Sequence, residues 1–320
     1  MGKEIIIANK SGREVKRIVV PPQEEIIFED KKTQTFNEER FLAHLAEARR
    51  LAQENSVGQR EATVEIHPQH PELPIGIWLL NDLHAGSVFT DYGGFWRDYE
   101  VVSKTPNLYV ITNGDLADNF LVDTAQAAGV YEDSITPEQQ ALLVQGLMRK
   151  LAKQEKLIAM SFGNHEDFSQ KGGLSFEGTW LRDMPCPVFN CGGLLTIKYG
   201  SQEYKIAMTH RFWGASKLNP TNACKRFIEH VYPDADVSYL GHYHVREHLS
   251  FQRGGKSRLA IVGGCYKIDD EFGPKRGMGG GGQMGGLCLM LRGDKNEMFV
   301  MESVSDAREY LETLERVKRG

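Results

Sequence analysis

Short apolar runs of strand length alternate with segments of helical spacing along most of this chain. Five of these runs each end at a cluster of polar residues: Ile75–Leu80, Leu108–Thr112, Leu157–Ser161, Ile206–Thr209 and Val237–Leu240. Helical periodicity predicts helices over Ser134–Glu155, Asn222–Val231 and Ser305–Arg319. Later strands are predicted at Leu259–Val262, Leu287–Leu291 and Met298–Met301. The alternation predicts an α/β body whose polar clusters lie at the C-terminal ends of buried strands.

The first seventy residues have a different pattern and are predicted to form an appendage. β-Branched runs at Glu4–Ala8, Val15–Val20 and Glu25–Phe28 predict a β-hairpin or a three-stranded flap. A capping box at residues 35–38 precedes helical spacing to about Asn55, and residues 56–74 are interpreted as a linker. The predicted domains are therefore an appendage with linker over residues 1–72, a main body over 73–304 and a C-terminal helix over 305–320.

The composition is that of an ordinary globular protein of 320 residues, 41% hydrophobic and 25% charged. A net charge of −5 gives no general attraction to nucleic acid or anionic membranes, although bound metals would add positive charge locally. Without a transmembrane-length apolar run or a secretory h-region, we expect a cytoplasmic protein with no membrane association. The five cysteines form no Cys-x-x-Cys pair, which favours reduced thiols over a disulfide framework.

The polar clusters after the strands carry side chains suited to divalent metals. In order they are Asp82-Leu83-His84, Gly114-Asp115-Leu116-Ala117-Asp118, Gly163-Asn164-His165-Glu166, His210 and Gly241-His242-Tyr243-His244. They supply carboxylate and amide oxygens and imidazole nitrogens, and Asp115 could bridge two ions held roughly 3.5–4 Å apart. Taken singly, most of these motifs are common as turns or surface loops. All five in this order indicate a two-metal phosphoesterase.

The five motifs resemble those of the calcineurin-like metallophosphoesterase superfamily, over about Ile75 to His244. The resemblance implies an α/β (α+β) fold, a four-layer α/β/β/α sandwich, with residues 73–304 as the catalytic domain. It also implies one metal held by Asp82, His84, Asp115 and His244, and a second held by Asp115, Asn164, His210 and His242. A metal-bridging hydroxide would attack phosphorus in line, while His165, oriented by Asp118, would act as general acid. Mn²⁺ is preferred as the cofactor, with Fe, Zn²⁺, Ni²⁺ or Mg²⁺ as alternatives.

One departure from the superfamily bears on the substrate. Protein Ser/Thr phosphatases of this superfamily continue Gly-Asp-x-x-Asp with Arg-Gly, whose Arg holds the substrate phosphate, whereas this chain has Asn119-Phe120. We therefore expect Arg211, beside His210, to bind the phosphate together with Asn164. The following Phe212-Trp213 would either stack a base or pack in the core. Lys275-Arg276 is a weaker candidate, beside a glycine-rich segment (277–286) interpreted as a mobile loop or as a flap over the metals.

Three functions remain open from the sequence. The favoured one is a phosphodiesterase or nuclease acting on nucleic acid or a nucleotide, because the phosphatase Arg is missing and the ligand set is complete. The alternatives are a phosphomonoesterase acting on a small metabolite and a non-catalytic scaffold subunit with the same fold. Basic residues are scattered and form no recognisable stripe, so nuclease and nucleotide enzyme are not separated. The N-terminal appendage is a candidate surface for a protein partner or for homo-oligomer contacts.

Overall fold

The structure is a computed structural model that describes residues 3–8, 14–20, 39, 41–43, 45–47, 60–120, 127–168, 184–216, 218–268 and 284–319. The chain divides into two compact units, Met1–Gly58 and Gln59–Gly320. In the smaller unit, β1 (Lys3–Ala8) and β2 (Glu14–Val20) pair antiparallel, which both predicted arrangements share, and residues 39, 41–43 and 45–47 are helical. The predicted third run, Glu25–Phe28, lies outside the described residues.

The larger unit is built from twelve strands and four α-helices within the described residues. The strands are β3 (Glu61–Ile66), β4 (Ile75–Leu80), β5 (Leu108–Asn113), β6 (Leu157–Ser161), β7 (Val188–Phe189), β8 (Gly193–Tyr199), β9 (Gln202–Thr209), β10 (Val237–Leu240), β11 (Glu247–Arg253), β12 (Lys256–Val262), β13 (Cys288–Leu291) and β14 (Met298–Met301). The helices are α1 (Tyr92–Lys104), α2 (Pro137–Lys153), α3 (Asn222–His230) and α4 (Val304–Arg319). Residues Ala127–Glu132 form a 3₁₀ helix.

Two mixed six-stranded sheets bring the polar motifs together. One sheet has the order β14-β13-β4-β5-β6-β7, and the other has the order β11-β12-β10-β9-β8-β3. In the first, β4, β5 and β6 are parallel neighbours, so the motifs that follow them lie at one sheet edge. In the second, β9 and β10 are parallel neighbours that lead to His210 and to the Gly241–His244 motif.

The sheets and helices form the four predicted layers. Helices α1, α2 and α4 cover one sheet, where Trp78, Tyr99 and Met148 are buried, and α3 covers the other. A second apolar core that includes Ile77 and Tyr239 lies between the two sheets. Strand β4 is buried along its whole length because it is covered on both faces. Burial of each such large side chain contributes about 1.5–3 kcal/mol, which holds the strand ends in place.

Residues 61–66 correct the predicted linker over 56–74. They form β3, which pairs in parallel with β8 at the edge of one sheet, with Ala62 and Ile66 buried. The larger unit therefore begins at Gln59, earlier than the predicted boundary at residue 73. Helix α1 was not predicted, and the C-terminal helix α4 packs against it within the same unit. Residues 269–283, with Lys275-Arg276, lie outside the described residues.

None of the described helices has the length and apolar character needed to cross a membrane.

Candidate metal centre

The predicted metal ligands follow the strand ends in an unusual backbone conformation. Five of the seven have positive φ, namely Asp82 (49°), His84 (50°), Asp115 (52°), His242 (71°) and His244 (52°). Non-glycine residues rarely adopt this left-handed region, because it strains the backbone by roughly 1–3 kcal/mol per residue. Here the conformation turns the chain sharply after each strand. The surrounding packed strands hold these turns, and the turns bring the side chains together.

The first group of ligands surrounds one oxygen of Asp82. Its Oδ2 accepts hydrogen bonds from the Asn81 side-chain amide and from the main-chain N–H of His242 (2.8 Å). Its Oδ1 faces two imidazoles, with His244 Nε2 at 3.3 Å and His84 Nε2 at 3.7 Å. The two Nε2 atoms lie only 3.1 Å apart. Three electron-pair donors therefore converge on one point, which suits a cation.

The second group consists of Asp115, His210 and His242. His210 Nδ1 donates to the main-chain oxygen of Asn113 (2.7 Å), which directs Nε2 toward Asp115 Oδ2 at 2.9 Å. The same Nε2 lies 3.9 Å from Asp82 Oδ1, so the two groups adjoin. Asp115 is nearly completely buried, and its Oδ1 accepts the main-chain N–H of His165 (2.9 Å).

Two buried oxygens of predicted ligands test whether a metal fits. Asp82 Oδ1 and Asn164 Oδ1 are buried and make no hydrogen bond in the described part of the chain. Burying such atoms unpaired costs free energy, roughly 1–3 kcal/mol each. Both oxygens offer lone pairs to a cation. The residues present therefore fit a divalent metal ion.

The charges of the site lead to the same conclusion. Burial alone would raise the pKa of Asp82, but His210 and His244 lower it well below its usual range. Burial likewise opposes protonation of His210, yet the charges of Asp115 and Asp82 raise its pKa to about 10. For His242, burial and the positive charge of His210 lower the pKa to about 4. The buried carboxylates therefore favour the protonated form of His210. A bound metal cation would supply that positive charge in place of the proton.

Glu166 and Gly163 fix the loops that carry Asp115. The buried Glu166 carboxylate accepts three main-chain N–H groups, from Asp115 (2.9 Å), Leu116 (2.7 Å) and Gly163 (2.8 Å). Bonds of this kind to a charged acceptor contribute about 1.5–3 kcal/mol each. A Cβ on Gly163 would lie 2.2 Å from Asp115 Oδ1, so only glycine allows this close approach.

Comparison with known families agrees with this geometry. The family model described as calcineurin-like phosphoesterase matches residues 75–246, more than half of the chain. The chain belongs to this family. No curated protein sequence matches it significantly.

Solved structures of similar proteins share low sequence identity with this family member. Vacuolar protein sorting 29 from Cryptosporidium parvum is 13% identical, with a TM-score of 0.40, over 72% of this chain and 91% of that one. The calcineurin-like phosphoesterase YfkN from Bacillus subtilis is 12% identical, with a TM-score of 0.35, over 73% and 92%. A metallophosphoesterase from Sphaerobacter thermophilus is 12% identical, with a TM-score of 0.33, over the same shares.

Asp118 has a different partner from the one that the family resemblance implies. Its carboxylate accepts from His84 Nδ1 (Oδ1, 2.6 Å) and from the buried Lys267 ammonium (3.1 and 3.2 Å). His165 Nδ1 instead donates to the main-chain oxygen of Asp118 at 2.5 Å, and the carboxylate lies 3.9 Å away. The Asp118 side chain therefore orients a predicted metal ligand, and its main chain orients His165.

The Arg211 segment separates into an exposed and a buried part. Arg211 is exposed, and its positive charge is felt at His242, one of the predicted ligands. Phe212 packs on Phe227, with ring centroids 5.0 Å apart, whereas Trp213 is 55% exposed. Of the two predicted alternatives for these aromatics, packing in the core therefore applies to Phe212 and not to Trp213.

Several residues that support the site were not found from the sequence. The Asn81 side-chain amide donates to Asp82 and to the main-chain oxygen of Gly264 (2.6 Å). The Tyr239 hydroxyl donates to Asn81 Oδ1 (2.7 Å). Asn81 directly precedes the Asp-x-His motif, and this position was the available signal. Lys267 lies 149 positions from Asp118. A lone lysine so far away gives no sequence signal.

Proposed function

We propose that this protein is a two-metal phosphodiesterase that hydrolyses nucleic acid or a nucleotide. The observation that carries the proposal is that two groups of ligands adjoin, Asp82 with His84 and His244, and Asp115 with His210 and His242; His210 Nε2 lies 3.9 Å from Asp82 Oδ1. Asp115 would bridge two ions, as the family resemblance implies. Mn²⁺ is the proposed ion because mixed oxygen and nitrogen ligation suits it; Fe, Zn²⁺, Ni²⁺ and Mg²⁺ are the alternatives.

His165 is the proposed general acid. When bound, two divalent ions would polarise the phosphate and lower the pKa of the attacking water. The main-chain oxygen of Asp118 holds the proton on His165 Nδ1, and Nε2 lies 3.8 Å from Asp115 Oδ2. A protonated Nε2 would pass its proton to the leaving oxygen as the bond from phosphorus to that oxygen breaks. Burial lowers the pKa of His165, which makes the protonated ring a stronger acid.

The residue after Asp118 supports a diester substrate over a phosphoprotein. Asn119 is fully buried, and its amide donates to the main-chain oxygen of His165 (2.6 Å). Asn119 therefore holds the His165 loop in place and, being neutral, offers no positive charge to a phosphate. Arg211 is the proposed substitute, with Asn164 as a second phosphate contact, because its side chain is exposed and its positive charge is felt at His242.

The test is hydrolysis of a chromogenic phosphodiester compared with its monoester twin, after Mn²⁺ is added to metal-stripped protein. We expect preference for the diester, and an Asp115→Asn variant serves as the inactive control. Preference for the monoester would redirect the proposal to a phosphomonoesterase acting on metabolites. Bound metal without activity on either compound would favour a non-catalytic scaffold.

We also propose a reducing, cytoplasmic location. It is supported by the five cysteines, which are all free thiols in the structure. Quantifying free thiols in protein purified without reductant tests this, and a disulfide in the native protein would contradict it.

A further inference from the structure

An exposed tryptophan in the segment that follows His210 is the starting observation. Trp213 lies three residues after His210 and leaves more than half of its surface exposed. Its neighbour Phe212 is anchored on Phe227, and the Phe212 main-chain oxygen accepts the Tyr243 hydroxyl. Tyr243 lies between His242 and His244, so the Trp213 segment is tied to the loop that carries two metal ligands.

An arginine and a histidine contact this tryptophan. The guanidinium carbon of Arg226 lies 4.4 Å from the Trp213 ring centroid, and the His230 ring lies 5.4 Å away at an interplanar angle of 30°. The cation–π contact holds the ring in place. Neither Arg226 nor Lys225 has a carboxylate partner within ion-pair distance in the part of the chain that the structure describes. Their charges are therefore available to an anionic ligand.

A cavity of about 470 Å³ lies between α3 and β11, and two of its lining residues, Arg226 and His230, contact Trp213. Lys225, Arg226 and Arg253 line it, and the one carboxylate among the lining residues, Glu229, is already paired with Arg253 at 3.0 Å. A larger cavity of about 600 Å³ between α1 and α4 differs in charge, because its cations are matched by equal numbers of carboxylates. Excess positive charge is thus a property of the cavity between α3 and β11, although the whole chain has a net charge of −5.

We propose that Trp213, Lys225, Arg226 and His230 (the Trp213 surface) bind single-stranded nucleic acid that extends from the metal centre. The inference rests on the proposed phosphodiesterase function and names its substrate class. A base would stack on the indole, and Lys225 and Arg226 would contact the backbone phosphates. None of the residues that line the cavity is a predicted metal ligand, so the cavity and the metal centre are separate places. A ligand that contacts both the cavity and the metal centre would be a chain of nucleotides. In a duplex the bases are already stacked, so the indole selects an unpaired strand.

The test is binding of a fluorescein-labelled oligothymidylate of about ten nucleotides to metal-free full-length protein, followed by fluorescence anisotropy. Trp213→Ala is expected to raise Kd about five- to hundred-fold, because stacking on one aromatic ring has an effect of that size. Trp213→Phe is expected to restore most of the affinity. Charge reversal by Arg226→Glu is expected to weaken binding and to reduce its salt dependence.

Trp96→Ala is the matched control, because Trp96 is an exposed tryptophan (46%) stacked on Tyr99 in α1, away from this cavity. We expect it to bind the oligonucleotide like the wild type. Equal affinity of wild type and Trp213→Ala, an equal loss in Trp96→Ala, or duplex binding as tight as that of the single strand would overturn the proposal. Hydrolysis of the small chromogenic diester is scored separately. If that diester is not cleaved but binding depends on Trp213, the proposed function fails and the surface stands; the reverse result rejects the surface alone.

Discussion

Gly163→Ala tests whether the packing around Asp115 is as tight as the structure shows. A Cβ at this position would lie 2.2 Å from Asp115 Oδ1 and 2.7 Å from Asp115 N, whereas ordinary van der Waals contact begins at 3.4 Å. One of the groups must therefore move by about 1 Å. The carboxylate cannot simply rotate away, because the main-chain N–H of His165 holds Oδ1 at 2.9 Å. The φ of Gly163 is open to other residues, so the effect is purely steric.

We expect Gly163→Ala to destabilise the protein by about 1–3 kcal/mol, the usual cost of overpacking. A misplacement of about 1 Å at a catalytic group lowers activity about 10²-fold, and Mn²⁺ affinity should fall with it. Thermal unfolding followed by circular dichroism measures the first effect, and Mn²⁺ titration with diester hydrolysis measures the second.

Gly146→Ala is the matched control for this substitution. Gly146 lies inside α2 and has no atom within 4 Å of a built Cβ. It should gain about 0.5–1 kcal/mol from the better helix propensity of alanine, with unchanged metal affinity. Wild-type Mn²⁺ affinity and turnover in Gly163→Ala would refute the reasoning.

Three other variants test separate parts of the site. Asp118→Asn removes the charged acceptor of His84 and leaves Lys267 buried beside a neutral amide; we expect metal affinity to fall about 10- to 100-fold by Mn²⁺ titration, and unchanged affinity would contradict the contact. His165→Ala is expected to keep its metal content and to lower diester turnover about 10²–10⁴-fold, whereas loss of metal would make His165 a ligand. Arg211→Ala is expected to raise KM for the diester in steady-state kinetics, and unchanged kinetics would leave Arg211 as an ordinary surface residue.

The strands beside the site were predictable from the sequence because they are buried on both faces. Continuous apolar runs at β4, β6 and β10 gave the bounds that the structure has. The sequence predicts a linker at β3 because the alternation of polar and apolar residues there is short, and the strand lies at a sheet edge. Helix α1 escaped prediction because it begins with Tyr92-Gly93-Gly94, and glycine lowers helix propensity.

The sequence indicated which residues are candidate ligands, but it did not indicate the contacts that orient them. Motif spacing placed Asp82, Asp115 and His210 after strands, and parallel strands bring such positions together. Whether the Asp118 carboxylate meets His84 or His165 depends on the turn geometry of Asp118 and on Lys267, which comes from a distant part of the chain. A sequence pattern reveals neither this turn geometry nor the placement of Lys267.

The manganese content of the purified chain tests the two-metal centre most directly. Metal-stripped wild-type protein and Asp115→Asn would be incubated with Mn²⁺, dialysed and measured by elemental mass spectrometry, with circular dichroism to confirm that both are folded. We predict two ions per wild-type chain and loss of metal in the folded Asp115→Asn variant, because Asp115 is the proposed bridge. A single ion per wild-type chain, or unchanged content in the variant, would contradict the dinuclear centre.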